Sequence, residues 1–383
     1  MQKKAFDVAV IGAGCFGAWC AHELQRAGHT VALLDAFGPA HSRASSGGES
    51  RIIRMGYGAD ELYTCWSQRS LEAWRALSER LGRPLFQATG MLWLSATSEG
   101  YVRQTQSVLA RLGVVHEELS AAQLAQRFPQ IALDDVAWGL LEPGSGVLMA
   151  RQAVQALVQD GRTGGLDYRL AKVVPPALRQ RLDRIMTTTG DTLTAGAFVF
   201  ACGPWLPQVF PELLAPRIFP TRQEVYFFAP PAGSAAFAAP AMPAWLHHPD
   251  LVYGLPDLES RGFKLSIDRH GPAFDPDAGS RLPSSEGLAE ARAYLARRFP
   301  ALAHATLNES RVCQYENTAN GDFIIDRHPQ CDNVYIVGGG SGHGFKHGPA
   351  VGAYVRGLIE GSDATQARFA LAGKGMRQAR SVY

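Results

Sequence analysis

The chain has 383 residues, long enough for two domains or for one large α/β unit with insertions. Charged residues make up 19% of it, below the share of about 25% usual in globular chains, so disorder driven by charge is excluded. The 37 Lys and Arg against 35 Asp and Glu leave a net charge of +2, without the basic field that marks a nucleic-acid partner.

The N-terminal MQKKAFDVAVIGAG opens on Lys3 and Lys4 as a secretory signal does, but Asp7 interrupts the apolar stretch. No apolar run reaches the roughly 18 residues that span a bilayer. The chain therefore reads as cytoplasmic, with no membrane partner. Residues 6–11 read as a buried strand, 12–17 as a glycine turn, 18–27 as a helix ended by Gly28, and 30–34 as a second strand closed by Asp35. This unit of about 30 residues has the size of a parallel crossover. Residues 58–82 carry a helical stripe through Leu62, Trp66 and Trp74. Between 84 and 150, short apolar runs such as 90–94 and a Pro/Gly-rich stretch at 142–146 alternate with helix-like pieces, and 150–160 reads as a helix. Residues 194–203 read as a buried strand entering a glycine turn, and 219–262, rich in aromatics and proline, as a β-rich region. A helix over 284–298, a strand over 333–338 and a helix over 348–360 follow, and the basic tail 364–383 packs on the surface or frays. Six cysteines (Cys15, Cys20, Cys65, Cys202, Cys313, Cys331) form no CxxC pair, so neither a zinc site nor a disulfide framework is indicated and no metal is expected. The pattern is that of a discontinuous nucleotide-binding domain, with a second domain built from the insertions between its pieces.

Gly12-Ala13-Gly14-Cys15-Phe16-Gly17 is a GxGxxG sequence between a strand and a helix. Gly12 permits the tight turn, Gly14 lets the backbone approach a pyrophosphate, and Gly17 allows close helix–strand packing. The helix N-terminus offers N–H groups and a favourable dipole. A carboxylate at Asp35 suits ribose hydroxyls and repels a 2′-phosphate. The motif alone does not separate NAD from FAD.

Three further segments read SSGGESRIIRMGY (45–57), VCQYENTANGDFIID (312–326) and NVYIVGGGSGHGFKHGPAV (333–351). With the glycine turn they resemble the monomeric sarcosine oxidase and N-methyltryptophan oxidase family of D-amino-acid-oxidase-like FAD enzymes. The resemblance runs from residue 6 to about 360, with weaker matches at 253–256 and 262–265. It implies an α/β fold, in which a Rossmann-like FAD-binding domain comprises 1–84, 150–218 and 315–383. A discontinuous α+β substrate domain, 85–149 and 219–314, is then built on an antiparallel sheet. It also implies FAD rather than NAD, with the AMP half on the GxGxxG turn, the flavin ring at the domain interface, and a second contact at 198–205.

Site residues follow from the same resemblance. Cys313 takes the place of the cysteine bonded covalently to the flavin, although burial as an apolar side chain is the commoner fate of cysteine. Arg54 and Lys346 match the two cations that hold the substrate carboxylate, a planar fork and a compact charge. Arg51 matches an arginine near the ring, and RIIR places it on one face with Arg54 if the segment is helical. Gly340, Gly342, His343 and Gly344, followed by Lys346, are similar to a flavin-binding turn whose N–H groups stabilise negative charge on the ring. Lys264 in GFKL matches a lysine that activates dioxygen; the alternative is a strand lysine with its head in solvent. Tyr253 and Tyr315 match aromatics lining the substrate pocket, or are ordinary half-buried strand tyrosines.

The implied activity is oxidation of an amino acid, a secondary amine such as an N-methyl or cyclic imino acid, by dioxygen to give an imine and hydrogen peroxide. The alternative is an FAD-dependent dehydrogenase that passes electrons to another acceptor. The expected partners are the small amino acid and dioxygen, and oligomeric state is not legible. Departures from the family fall at Ser46 and Gly47 in place of two histidines, Ala59 in place of a glutamate, and Asp268 in place of a histidine. The bulk lost at the first three implies a larger pocket and a substrate other than sarcosine.

Overall fold

The computed structural model describes residues 5–177 and 179–376; the end of the basic tail, 377–383, lies outside them. Eight elements frame the site in chain order: β1 (Phe6–Ile11), α1 (Cys15–Arg26), β2 (Val31–Asp35), α2 (Glu61–Arg80), β3 (Thr192–Phe200), β4 (Leu307–Asn317), β5 (Val334–Gly338) and α3 (Gly348–Glu360).

The first sheet has seven strands in the order 324–327, β5, β3, β1, β2, 167–170, with 184–186 added on β3. From β5 to 167–170 neighbours run parallel, while 324–327 closes the edge antiparallel. β1 and β5 are buried along almost their whole length, as strands covered on both faces must be. α1 packs against this sheet and against α3. The helices come close because α3 is small there: a Cβ at Gly352 would lie 2.6 Å from the Trp19 carbonyl oxygen.

The second sheet has eight strands in the order β4, 219–228, 263–267, 252–255, 244–247, 91–95, 138–142, 117–120. It is antiparallel as expected, except that 244–247 and 91–95 run parallel. β4 stays whole on this sheet, so the expected division between 314 and 315 falls inside a continuous strand. A third sheet joins 51–53, 146–148 and 86–87.

The RIIR segment is extended, with Arg51–Ile53 a strand paired to 146–148. Residues three apart on an extended chain do not share a face. Arg51 and Arg54 therefore go to different places, since the condition for a shared face, a helical segment, is not met. α1 begins at Cys15, three residues before the expected start at 18, because the glycine turn feeds directly into the helix.

Candidate functional site

A cleft of about 330 Å³ runs along the carboxyl ends of β1, β2 and β3 and is closed by β4 and the turn after β5. Gly12, at φ +106°, leaves no room for a side chain, because a Cβ there would lie 2.3 Å from the Ala201 carbonyl oxygen. A Cβ at Gly17 would lie 1.8 Å from the Gly12 carbonyl oxygen. Gly14 differs: its nearest neighbour is the Ser46 Oγ at 3.3 Å, and it lines the cleft. Its backbone is thus open to a ligand at a helix N-terminus, the arrangement that receives a pyrophosphate. Asp35 lines the cleft and also clamps the turn, its Oδ2 accepting the Ala13 N–H at 2.7 Å and its Oδ1 the Phe37 and Gly38 N–H groups at 2.8 Å. The donors and glycines present fit a dinucleotide.

At the other end of the cleft Arg51 points at Cys313, Nη2 to Sγ 3.4 Å, and is anchored by the Ser45 and Ser50 carbonyls at 2.7 and 2.9 Å. Lys264 approaches from the second sheet, fully buried rather than solvated, and donates to the Ser50 carbonyl at 2.8 Å. Burial, reinforced by the Arg51 charge, pushes its ammonium well below the ordinary lysine value. The turn 338–344 is wedged between side chains: a Cβ at Gly342 would meet the Tyr315 ring at 2.8 Å, and one at Gly344 the Phe16 ring at 2.8 Å. Gly340, Gly342 and Gly344 line the cleft. His343 turns its ring away, stacking on Phe323 and placing Nε2 2.9 Å from the Gly321 carbonyl oxygen. Of His343, the backbone is what belongs to the turn.

Arg54 and Lys346 meet at Tyr57. The Arg54 guanidinium lies between two rings, 4.6 Å from the Tyr57 centroid and 4.7 Å from that of Trp93, and donates to the Gly56 carbonyl. The Lys346 ammonium is 5.2 Å from the same Tyr57 centroid and donates to the Tyr57 hydroxyl and the His343 carbonyl, at 2.8 and 3.0 Å. Burial pushes Lys346 well below its ordinary value, Arg54 adds to that, and Asp268 and Glu142 oppose it. α2 fixes this lysine from behind: the Trp74 indole N–H donates to the Lys346 carbonyl at 2.9 Å. His347, with Nε2 2.8 Å from the Tyr57 oxygen, is held well below the usual imidazole value by burial and by Lys346.

Tyr315 donates its hydroxyl to the buried Asp268 carboxylate at 2.5 Å. Burial and the charge of Asp268 push the Tyr253 phenol up. The expected enlargement of the pocket does not come from the other departures. Ala59 is exposed, and a Cβ at Gly47 would lie 2.1 Å from the His41 carbonyl oxygen. Ser46 lies under the GxGxxG turn, where its Oγ accepts the Cys15 N–H at 2.9 Å.

Sequence reasoning missed Glu142. It is buried and accepts from the Met55 and Gly56 N–H groups at 2.7 and 3.1 Å, from the Trp93 indole at 2.8 Å and from the Ser145 hydroxyl at 2.6 Å. It therefore fixes the backbone just after Arg54. Its only local signal was an acidic residue ending an apolar run before Pro143 and Gly144. Tyr57 was quoted within its segment without a role, and His347 and Glu316 went unremarked.

A family model described as DAO, FAD dependent oxidoreductase, matches residues 7–358. The peroxisomal sarcosine oxidase of Homo sapiens is 33% identical over 364 residues, 92% of this chain and 91% of that protein. The N-methyl-L-tryptophan oxidase of Yersinia pestis is 28% identical over 352 residues, 91% of this chain and 93% of that protein. Among solved structures, the L-proline dehydrogenase from P. horikoshii superposes with a TM-score of 0.84 at 21% identity, over 97% of this chain and 98% of that one, a likeness of fold. The chain belongs to the FAD dependent oxidoreductases and, within them, to the sarcosine oxidase and N-methyltryptophan oxidase family.

Proposed function

We propose that this protein oxidises an amino acid whose nitrogen is a secondary amine, to an imine, and returns the electrons to dioxygen as hydrogen peroxide. The observation that carries the reading is the convergence of Arg54 and Lys346 on Tyr57, two cations buried together. Buried like charges are costly, and a carboxylate is the ligand that relieves them. The names of the relatives support the substrate class, since sarcosine and N-methyl-L-tryptophan are both N-methyl amino acids.

The open Gly14 backbone and the turn 338–344 would hold the FAD, and Cys313, fixed toward the cleft by Arg51, would anchor it covalently. FAD, when bound, takes two electrons with hydrogen from the substrate and passes the electrons to dioxygen. Arg54 and Lys346 orient the substrate by its carboxylate. Tyr253 and Tyr315 supply the pocket wall, and Asp268 positions the Tyr315 hydroxyl. Lys264, once charged, stabilises the negative charge that builds on reducing oxygen.

The test is a panel of N-methyl and cyclic amino acids with peroxide detection, together with acid precipitation of the wild type and of Cys313→Ser. The expected result is peroxide from one substrate class and a yellow pellet that the variant lacks. Turnover with an artificial electron acceptor but no peroxide would replace the oxidase by a dehydrogenase. Yellow colour in the wild-type supernatant would remove the covalent link.

A further inference from the structure

Two glycine turns, the one at 202–205 and the one after β5, close on a carboxyl group that the reaction does not use. Glu316 is 8% exposed and lines the same cleft as Gly14 and Cys313. Its Oε1 accepts the Gly340 N–H at 3.3 Å. Its Oε2 has no hydrogen-bond partner among the described residues. Three glycines make its space: a Cβ would stand 3.2 Å from Oε1 at Gly340, and 3.4 and 3.6 Å from Oε2 at Gly203 and Gly338.

A buried oxygen without a partner is unfavourable and is rare unless water or a ligand completes it. The chemistry of that ligand is narrow. A pyrophosphate is repelled by a carboxylate and belongs at the α1 N-terminus. A hydroxyl suits the group in either protonation state, because it donates to a carboxylate and accepts from a carboxylic acid. FAD carries hydroxyls on the ribityl chain, the stretch that joins its ring to its pyrophosphate, and Glu316 shares the cleft with the residues assigned to both of those ends. We propose that Glu316 binds the cofactor, its Oε2 hydrogen-bonding a ribityl hydroxyl of FAD. Burial pushes this carboxyl up to about 7, against the pull of the Gly340 and Gly339 N–H groups. Both forms are therefore populated near neutrality, and the hydroxyl pairs with each.

The test measures FAD affinity in full-length protein carrying Cys313→Ser, so that no covalent bond masks it, using the quenching of FAD fluorescence. Glu316→Ala is expected to weaken FAD about tenfold or more, the worth of a hydrogen bond to an ionisable group. Glu316→Gln, which keeps an acceptor, a donor and the volume, is expected to restore most of that loss. Equal affinity in Glu316→Ala and the parent overturns the proposal. So does an equal loss in Ala and Gln, since both lack only the carboxyl's charge in common. Should Glu316→Ala fail to fold by circular dichroism, Glu316→Asp takes its place; it withdraws the oxygen by one methylene, and unchanged affinity there overturns the proposal as well.

Discussion

Lys346 and Tyr57 are joined by a hydrogen bond of 2.8 Å from the ammonium to the phenol oxygen. In the free protein, burial and the Arg54 charge bias that ammonium toward losing its proton. A bound carboxylate favours the charged form, so carboxylate binding draws a proton in. Affinity for a carboxylate ligand is therefore highest below the Lys346 value of the free protein and falls as pH rises through it, by up to about tenfold per pH unit. The dissociation constant of an unreactive carboxylate inhibitor, followed across pH by the flavin spectrum, checks this. Lys346→Met is expected to weaken binding and to remove the slope.

Glu142 acts on the same cations through the main chain. Replacing it by Gln puts an amide NH₂ against donors that the carboxylate accepted, among them the Met55 and Gly56 N–H groups. A cost of about 3 kcal/mol is expected from the lost bonds. Urea unfolding measures it, and a rise in KM larger than the fall in kcat would show that Arg54 has been displaced rather than the reacting centre.

Glu316 should make stability depend on pH. Its folded value is pushed up to about 7, above the unfolded value of about 4.3. Between the two, the folded chain holds a proton that the unfolded chain has released, so stability falls as pH rises through this window. Gln does not titrate. In the Cys313→Ser background without FAD, Glu316→Gln is expected to exceed its Glu316 parent in Tm by a few degrees at about pH 8, with most of that gain gone at about pH 4. Thermal unfolding at the two pH values decides it, and a gain independent of pH would falsify the assignment of a titrating carboxyl.

Lys264→Met tests the oxygen half of the reaction. Oxidation of the reduced protein by oxygen is expected to slow by about a hundredfold or more, the usual cost of one removed electrostatic donor. Reduction by substrate without oxygen should change far less, because Lys264 hydrogen-bonds the Ser50 carbonyl and not the Arg54–Lys346 pair. Stopped-flow measurement separates the two halves.

The crossover around Gly12 was legible because its physics is local: a strand, two glycines whose side chains would collide with backbone around a third left open, and a carboxylate at the next strand end. The meeting of Arg54 and Lys346 was expected only through the resemblance, since nothing in their own segments shows that residues almost 300 positions apart converge on one tyrosine. The sequence leaves open whether RIIR is helical, because periodicity is silent over four residues, and pairing with 146–148 decides that it is extended. Glu142 was hidden for a related reason: its partners Met55, Gly56 and Trp93 are remote in the chain, so an acid in an apolar run looked like the edge of a loop.

β4 carries Cys313 and Tyr315 on one side of its pleat and Gln314 and Glu316 on the other. Its ladder with 219–228 keeps that phase from Glu309 to Asn317. A substitution alters one of these four side chains and leaves the direction of the other three unchanged. A one-residue insertion or deletion within the ladder would instead turn all of them to the wrong side at once. A change of length is borne more easily in the loop 318–323 that follows β4, outside the ladder.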